Sequence, residues 1–307
     1  MLTLFATPKP FRGHIGVIQR NAIKSWTMLR PSPEIVLLCD EEGTEETARE
    51  FGLKFVPDVA RNEFGTPMVD SCFKAAEEAA ENEFLGYVNA DIILLSDFMR
   101  AMEQIRQYRQ RFLMCGQRWN LDLEKPLAFD SDWEESLRSR IAEQGSIYVR
   151  TGIDYYVFPR GLFGKIPPFA VGRRGDDNWF LYQARMKKAT VIDVTQVVTA
   201  VHQTHDYSHH PEGKEGIFQG TEYQRNIALV GDHRHSFTLD DRTEILTSKG
   251  LKPAWDARRL WRFIRTAPAL YPKSPLPVRV AFGALNGGIN MCRQLGLRAR
   301  VIRSADL

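Results

Sequence analysis

Three stretches of this 307-residue chain gather carboxylates, amides and imidazoles at spacings that could do chemistry. The first is Asn89-Ala90-Asp91, directly after the apolar run FLGYV. Two polar residues of the same parity at a strand's end can point to one side. A carboxylate there can hold a hard divalent ion, which takes its remaining oxygens from phosphate and water; it can equally do no more than end the strand. The second stretch runs from Gly172 through Arg173, Arg174 and Gly175 to Asp176, Asp177 and Trp179. Adjacent acids at a helix start suit the positive end of the helix dipole, and one of them could also accept a proton from an attacking hydroxyl. The third contains four of the seven histidines within nine residues: His202, His205, His209 and His210. Neutral imidazole ligates Mn²⁺ and Zn²⁺ alike, while a histidine-rich surface loop is the plainer alternative. His202 follows the apolar run VVTAV, which puts it at a strand end.

The elements that must position these groups alternate between short apolar runs and amphipathic stretches. That pattern predicts strands joined by helical crossovers, an α/β fold with a mostly parallel central sheet. Strands are expected at 2–6, 34–39, 54–56, 84–88, 112–115, 154–158 and 190–193. Helices are expected at 16–28, 44–51, 67–82, 96–109, 132–144 and 177–186, with Ser96 as a side-chain N-cap. Open α/β sheets bind ligands at the carboxyl ends of their strands, which is where all three stretches fall. The first such loop, Thr7 to Phe11, carries neither G-x-G-x-x-G nor G-x-x-x-x-G-K-[ST], and the chain lacks G-x-S-x-G and H-E-x-x-H. Dinucleotide-dependent dehydrogenases, P-loop NTPases, α/β-hydrolases and zincins lose their main support.

Composition sets the outer bounds. Hydrophobic residues at 43% and charged residues at 26% belong to a globular chain with a core, not to a disordered one. The four cysteines, Cys39, Cys72, Cys115 and Cys292, stand too far apart for a C-x-x-C metal pair and read as reduced thiols. No apolar run approaches the ~20 residues of a membrane span, and the opening residues lack a secretory pattern, so a cytoplasmic product is expected. The net charge of +3 is unevenly spread: residues 251–307 hold eleven Lys and Arg against two Asp and Glu. A boundary is expected near residue 240, with 1–240 as the catalytic domain and 241–307 as a basic, Arg/Trp-containing helical extension.

The order of strand, N-A-D, G-x-x-G-D-D-x-W leading into a helix, VIDV, and a strand ending in histidine resembles the GT-A fold glycosyltransferases of the family 2 type, over roughly residues 1–210. The resemblance implies a metal-dependent inverting glycosyltransferase using Mn²⁺ or Mg²⁺. It moves a sugar from a nucleotide-diphosphate donor, with uridine diphosphate as the family-level guess, to a glycan or lipid-linked acceptor. Asn89-Ala90-Asp91 stands where the family has D-x-D. Asn89 departs from that pattern and leaves the metal to Asp91, with His202 completing its shell. Asp177 matches the family's base, and Asp176 is its reserve. Thr7, Pro8, Asp40, Arg61 and Asn62 match the edge that holds base and ribose. Trp119, Asp122, Asp154 and Trp179 stand where an acceptor would rest.

Two competing readings remain. One is a metallohydrolase built on His202, His205, Asp206 and His209; the other is a glycan-binding or membrane-surface scaffold with a degenerate cleft, for which Asn89 is the warning. The Arg/Trp-rich stretch 253–265 could lie on an anionic membrane at the inner face, or pack on the catalytic domain with a solvated basic side. Nothing beyond charge points to nucleic acid.

Overall fold

The strand Leu2–Ala6 (β1) shows how the sheet acquires two buried faces. Leu2, Leu4 and Ala6 join one apolar cluster and Phe5 joins the other, as the period-2 alternation of a strand dictates. The same division recurs in Glu34–Leu38 (β2), Phe84–Val88 (β4), Phe112–Cys115 (β6) and Tyr155–Pro159 (β9). A sheet covered on both faces reads as near-continuous hydrophobic runs, which is why these strands were legible. The computed structural model describes residues 1–205, 215, 218–275, 277–278, 280, 282–285 and 287.

Among the described residues the main sheet has nine strands in the order β13-β12-β10-β6-β9-β4-β1-β2-β3. Its remaining members are Lys54–Val56 (β3), Thr190–Asp193 (β10), Glu244–Thr247 (β12) and Gly250–Pro253 (β13). Neighbours run parallel except at β9 and β13, which are antiparallel to the strands beside them. The expected α/β architecture with a mostly parallel sheet is therefore present. Helices Gly13–Met28 (α1), Thr44–Phe51 (α2), Val69–Ala79 (α3), Asp97–Tyr108 (α4), Trp133–Gln144 (α5) and Asp176–Met186 (α6) fall within a few residues of the expected ones.

Two expectations are corrected. Ser96 does not cap α4 through its side chain; its hydroxyl donates to Glu134 Oε2 at 2.7 Å, and its backbone is already helical. Secondary structure does not turn purely helical at residue 240: β12 pairs in parallel with β10 and extends the central sheet, and β13 closes a hairpin on it. The basic helix Ala257–Leu270 (α8) starts only after that, capped by Asp256, whose side chain accepts from Arg259 N. Cys39, Cys72 and Cys115 are buried free thiols as expected, and Cys292 lies outside the described residues.

A second sheet, which sequence alternation does not announce, positions the polar groups. It pairs Ile92–Leu94 (β5), Ala200–Gln203 (β11), Trp119–Leu121 (β7) and Ser146–Ile147 (β8), in the order β5-β11-β7-β8. Its register sets His202 opposite Ile92 and therefore beside Asp91. Gln203, fully buried, locks the junction: its amide donates to Ile18 O at 2.7 Å and Asp91 O at 3.1 Å and accepts from Asn21 Nδ2 at 2.9 Å. Trp26 Nε1 adds a bond to Ile92 O at 2.8 Å.

Buried polar groups stripped of their partners cost about 1–3 kcal/mol each. Gln203→Leu, close in volume, is expected to lower unfolding free energy by about 2–3 kcal/mol in chemical denaturation. A change below about 0.5 kcal/mol, typical of an unimportant surface position, would contradict this reading of the junction.

Candidate metal centre

Asp91 ends the β4 strand region and lies in the turn closed by Ile92 N donating to Asn89 O at 3.0 Å. Its Oδ2 stands 3.8 Å from His202 Nε2 and 3.1 Å from His205 Nε2. One ligand atom from each of the three residues lies within 4.8 Å of the others. Asp91 is 8% exposed, and its Oδ1 and the His202 Nδ1 are buried with no hydrogen-bond partner among the described residues. Two imidazoles and a carboxylate brought to one point are a donor set that fits a divalent transition ion. Nitrogen donors suit Mn²⁺ better than the oxygen-seeking Mg²⁺.

The electrostatics agree with ligand chemistry. Burial by itself would push the Asp91 carboxyl up, but His202, the His205 hydrogen bond and Lys9 together hold it well below the usual carboxylate range. Burial pushes His202 down to about 4 against the pull of Asp91, so at neutral pH its ring is uncharged and able to ligate. With His202 neutral, Lys9 is the positive group that answers Asp91. Its Nζ stands 3.5 Å from His205 Nε2, and burial lowers its own pKa. The loop that carries Lys9 is fixed by Gln19, which accepts from Lys9 N at 2.6 Å and donates to Lys9 O at 2.8 Å.

Asn89 has a structural partner. Its side chain donates to Asp154 Oδ1 at 2.9 Å, and its backbone N donates to Asp154 O at 2.9 Å. Arg118 pairs with the same carboxylate and lies 4.2 Å over the Tyr148 ring. Burial raises the Asp154 carboxyl; Arg118 opposes that, and Asp91 adds to it. Asp154 is thus an ion-paired wall between Asn89-Ala90-Asp91 and the next residues. Immediately before it, Ile153 N donates to Asp177 Oδ2 at 3.4 Å, which holds Asp177 next to the start of β9. Asp177 Oδ1 also accepts from Asn178 N at 2.8 Å. Burial pushes both acids above the usual carboxylate range, helped at Asp176 by the charge of Asp177 and at Asp177 by that of Asp154.

Gly175, which precedes this pair, has φ +120, and a Cβ there would meet Val230 Cγ2 at 3.2 Å. The glycine allows the loop to press on the helix Thr221–Val230 (α7). That helix is built into the site. Glu222 accepts from Arg173 Nε at 3.0 Å and from Asn62 Nδ2 at 2.6 Å, while buried Asn226 accepts from Ala170 N at 2.8 Å and donates to Ala170 O at 3.1 Å. Arg173 is ion-paired with Glu222 at 2.6 Å, both largely buried.

The other candidate residues scatter more. Thr7 Oγ1 lies 3.4 Å from Tyr87 OH, and Pro8 is buried beside Lys9. Asp40 is exposed, and Arg61 donates to Glu41 at 2.7 Å and Gly65 O at 2.8 Å. Asn62 closes its own loop by accepting from Phe64 N and Thr66 N, both at 3.0 Å. Asp122 is exposed and lines an open depression of about 730 Å³ together with Arg12, His14, Glu124 and His205. Trp119, on β7, packs half-buried against the core. Trp179 is 7% exposed and lies among Phe169 and Phe180 with ring centroids at 5.6 and 5.4 Å, the surroundings of a packing residue. Asp206 and His209 lie outside the described residues. Sequence reading missed Lys9, Arg118, Glu222 and Asn226. Only Lys9, in the loop after the first strand, carried a positional signal.

No family model matches this chain, and no curated protein matches it. Solved structures do resemble it in outline. S. aureus TarS in complex with UDP-GlcNAc superposes at a TM-score of 0.47 and 12% identity, over 68% of this chain and 60% of that one. The mannosyltransferase PcManGT from Pyrobaculum calidifontis, in complex with GDP-Man and Mn²⁺, gives 0.46 and 14%, over 95% and 80%. Glucosyl-3-phosphoglycerate synthase from M. tuberculosis gives 0.48 and 14%, over 75% and 79%. Likenesses this remote in both sequence and superposition are similarities of general architecture.

Proposed function

We propose that the chain is a metal-dependent glycosyltransferase that uses a nucleotide-diphosphate sugar and inverts the anomeric centre. The observation that carries this reading is the convergence of Asp91, His202 and His205, with Asp177 bonded to the residue before Asp154. Motif order in the sequence adds support. A divalent ion held by Asp91, His202 and His205 would supply positive charge against the oxygens of a departing diphosphate. Lys9 stands beside them, and Arg118 pairs with Asp154.

Asp177 serves as the base. In a single displacement the acceptor hydroxyl oxygen bonds to the anomeric carbon, the bond from that carbon to the diphosphate breaks with its electron pair, and the hydroxyl proton passes to Asp177. Base assistance of this kind contributes typically ~10² to 10⁴ in rate. Asp177 is suited to it because its pKa is raised yet two backbone amides still fix its carboxylate. The Asn62–Glu222–Arg173 cluster forms the nucleotide side, and the depression beside Asp122 and His205 receives the glycan or lipid-linked acceptor.

A second reading gains from His205: a metallohydrolase needs a ligand set of its own, and His202 with His205 beside Asp91 is one. Zinc or iron retained stoichiometrically through purification, without nucleotide, would favour it.

Two outcomes are expected. Asp91→Asn should abolish the Mn²⁺-dependent rise in melting temperature caused by nucleoside diphosphates, and chelation of the wild type should do the same; a nucleotide shift that survives both would contradict the metal role. Because the base must be ionised and its pKa is raised, kcat/KM should climb with pH along a limb displaced above the ordinary carboxylate range near 4. Asp177→Asn should keep donor binding while losing at least about 10² in kcat. A pH-independent rate from 4 to 8, or a fully active Asn variant, would remove Asp177 from the role.

A further inference from the structure

A second polar pocket opens at the opposite edge of the sheet, where the parallel strands β10 and β12 begin. It has a volume of about 320 Å³ and is lined by Arg185, Lys188 and Arg259, with Trp255, Tyr271 and Glu244 at its walls. Glu244 is already held by Arg109, with Arg109 Nε at 3.2 Å from Oε2, so its charge is spent there. Arg185 donates to Asp241 O at 2.6 Å and Arg259 to Arg242 O at 2.7 Å. Among the described residues no carboxylate lies within ion-pairing distance of either guanidinium. Arg185 in the last turn of α6 and Lys188 just past it suit the negative helix end. That accounts for two of the three cations but not for Arg259, which a separate helix delivers. Burial lowers both arginines, and the charge of Arg259 lowers Arg185 further. Asp241 and Asp256 offset this in part, but Asp241 is already ion-paired with Arg262 and Asp256 with Arg242, so the three cations of the concavity keep no carboxylate of their own among the described residues.

We infer that the Arg185–Lys188–Arg259 pocket is a phosphate-binding site separate from the metal centre. Guanidinium groups match phosphate oxygens in geometry and charge. The rim indicates where that phosphate comes from. Trp255 is 79% exposed and Tyr271 51%, Arg259 stacks 4.8 Å under the Trp255 ring, and Leu260, next to Arg259 in sequence, is 56% exposed. Exposed aromatic and aliphatic side chains around a cationic pocket fit the headgroup level of an anionic membrane, with the phosphate of a lipid in the pocket and the rim in the interface. Among the described residues no helix is long and apolar enough to cross a membrane.

The test uses the full chain, with inorganic phosphate followed by calorimetry and vesicles followed by co-sedimentation. Wild type should bind phosphate saturably and should bind phosphatidylglycerol-containing vesicles but not pure phosphatidylcholine. Lys188→Glu with Arg259→Gln should weaken both by at least about tenfold, since charge-assisted bonds to phosphate are lost. Lys188→Glu alone, at an exposed position, provides a variant whose fold is not at risk. Mn²⁺ binding should stay at the wild-type level in each variant, which separates this site from the metal centre. Phosphate binding without vesicle binding would keep the site and identify a soluble phosphate ester as its ligand. Wild type that binds no phosphate, or variants that bind it unchanged, would overturn the inference.

Discussion

A carboxylate buried to 8% exposure at a strand end must be compensated, and the placement of Asp91 constrains much of the rest. An ionised group taken out of water is costly unless opposite charge or hydrogen bonds surround it. Here compensation comes from separated parts of the chain: Lys9 after the first strand and His205, two residues beyond β11, whose Nε2 lies 3.1 Å from the carboxylate, while the ring of His202 stands 3.8 Å away. Each is delivered by an element whose own packing is satisfied elsewhere. One carboxylate oxygen and one imidazole nitrogen nevertheless have no hydrogen-bond partner among the described residues. Groups that are compensated in charge but incomplete in coordination are what a cation site requires before its cation arrives.

The small second sheet does most of the positioning. The β11–β5 pairing fixes His202 against Asp91, and the Gln203 side chain ties that pair to α1. The β4–β9 pairing brings Asn89 to Asp154, and the chain just before β9 brings Asp177 alongside. Asn89 therefore reads as a framework residue: its amide donates to Asp154, a bond that an ionised aspartate at position 89 could not make. Asn89, Asp154 and Arg118 together make an ion-paired wall beside Asp91.

Legibility in the sequence followed element length and sequence separation. The long buried strands and amphipathic helices announce themselves by period, and residues after those strands were found by position alone. The strands β5, β7 and β8 have three, three and two residues, too few for alternation to register. Sequence patterning singled out the helix-entry acids and the histidine cluster, but it could not tell which histidines reach Asp91. Arg118, Glu222 and Asn226 became visible only through contacts between residues far apart in the chain. Trp179, expected beside an acceptor, packs on α6 among phenylalanines, a contact that the sequence did not announce.

The most direct test is pulsed electron paramagnetic resonance of the Mn²⁺-loaded protein with a nucleoside diphosphate. Two directly coordinated imidazole nitrogens should modulate the echo, falling to one in His202→Ala and likewise to one in His205→Ala. A spectrum showing Mn²⁺ coordinated only by water and phosphate oxygens, unchanged by either substitution, would contradict the assignment of Asp91, His202 and His205 as the metal centre.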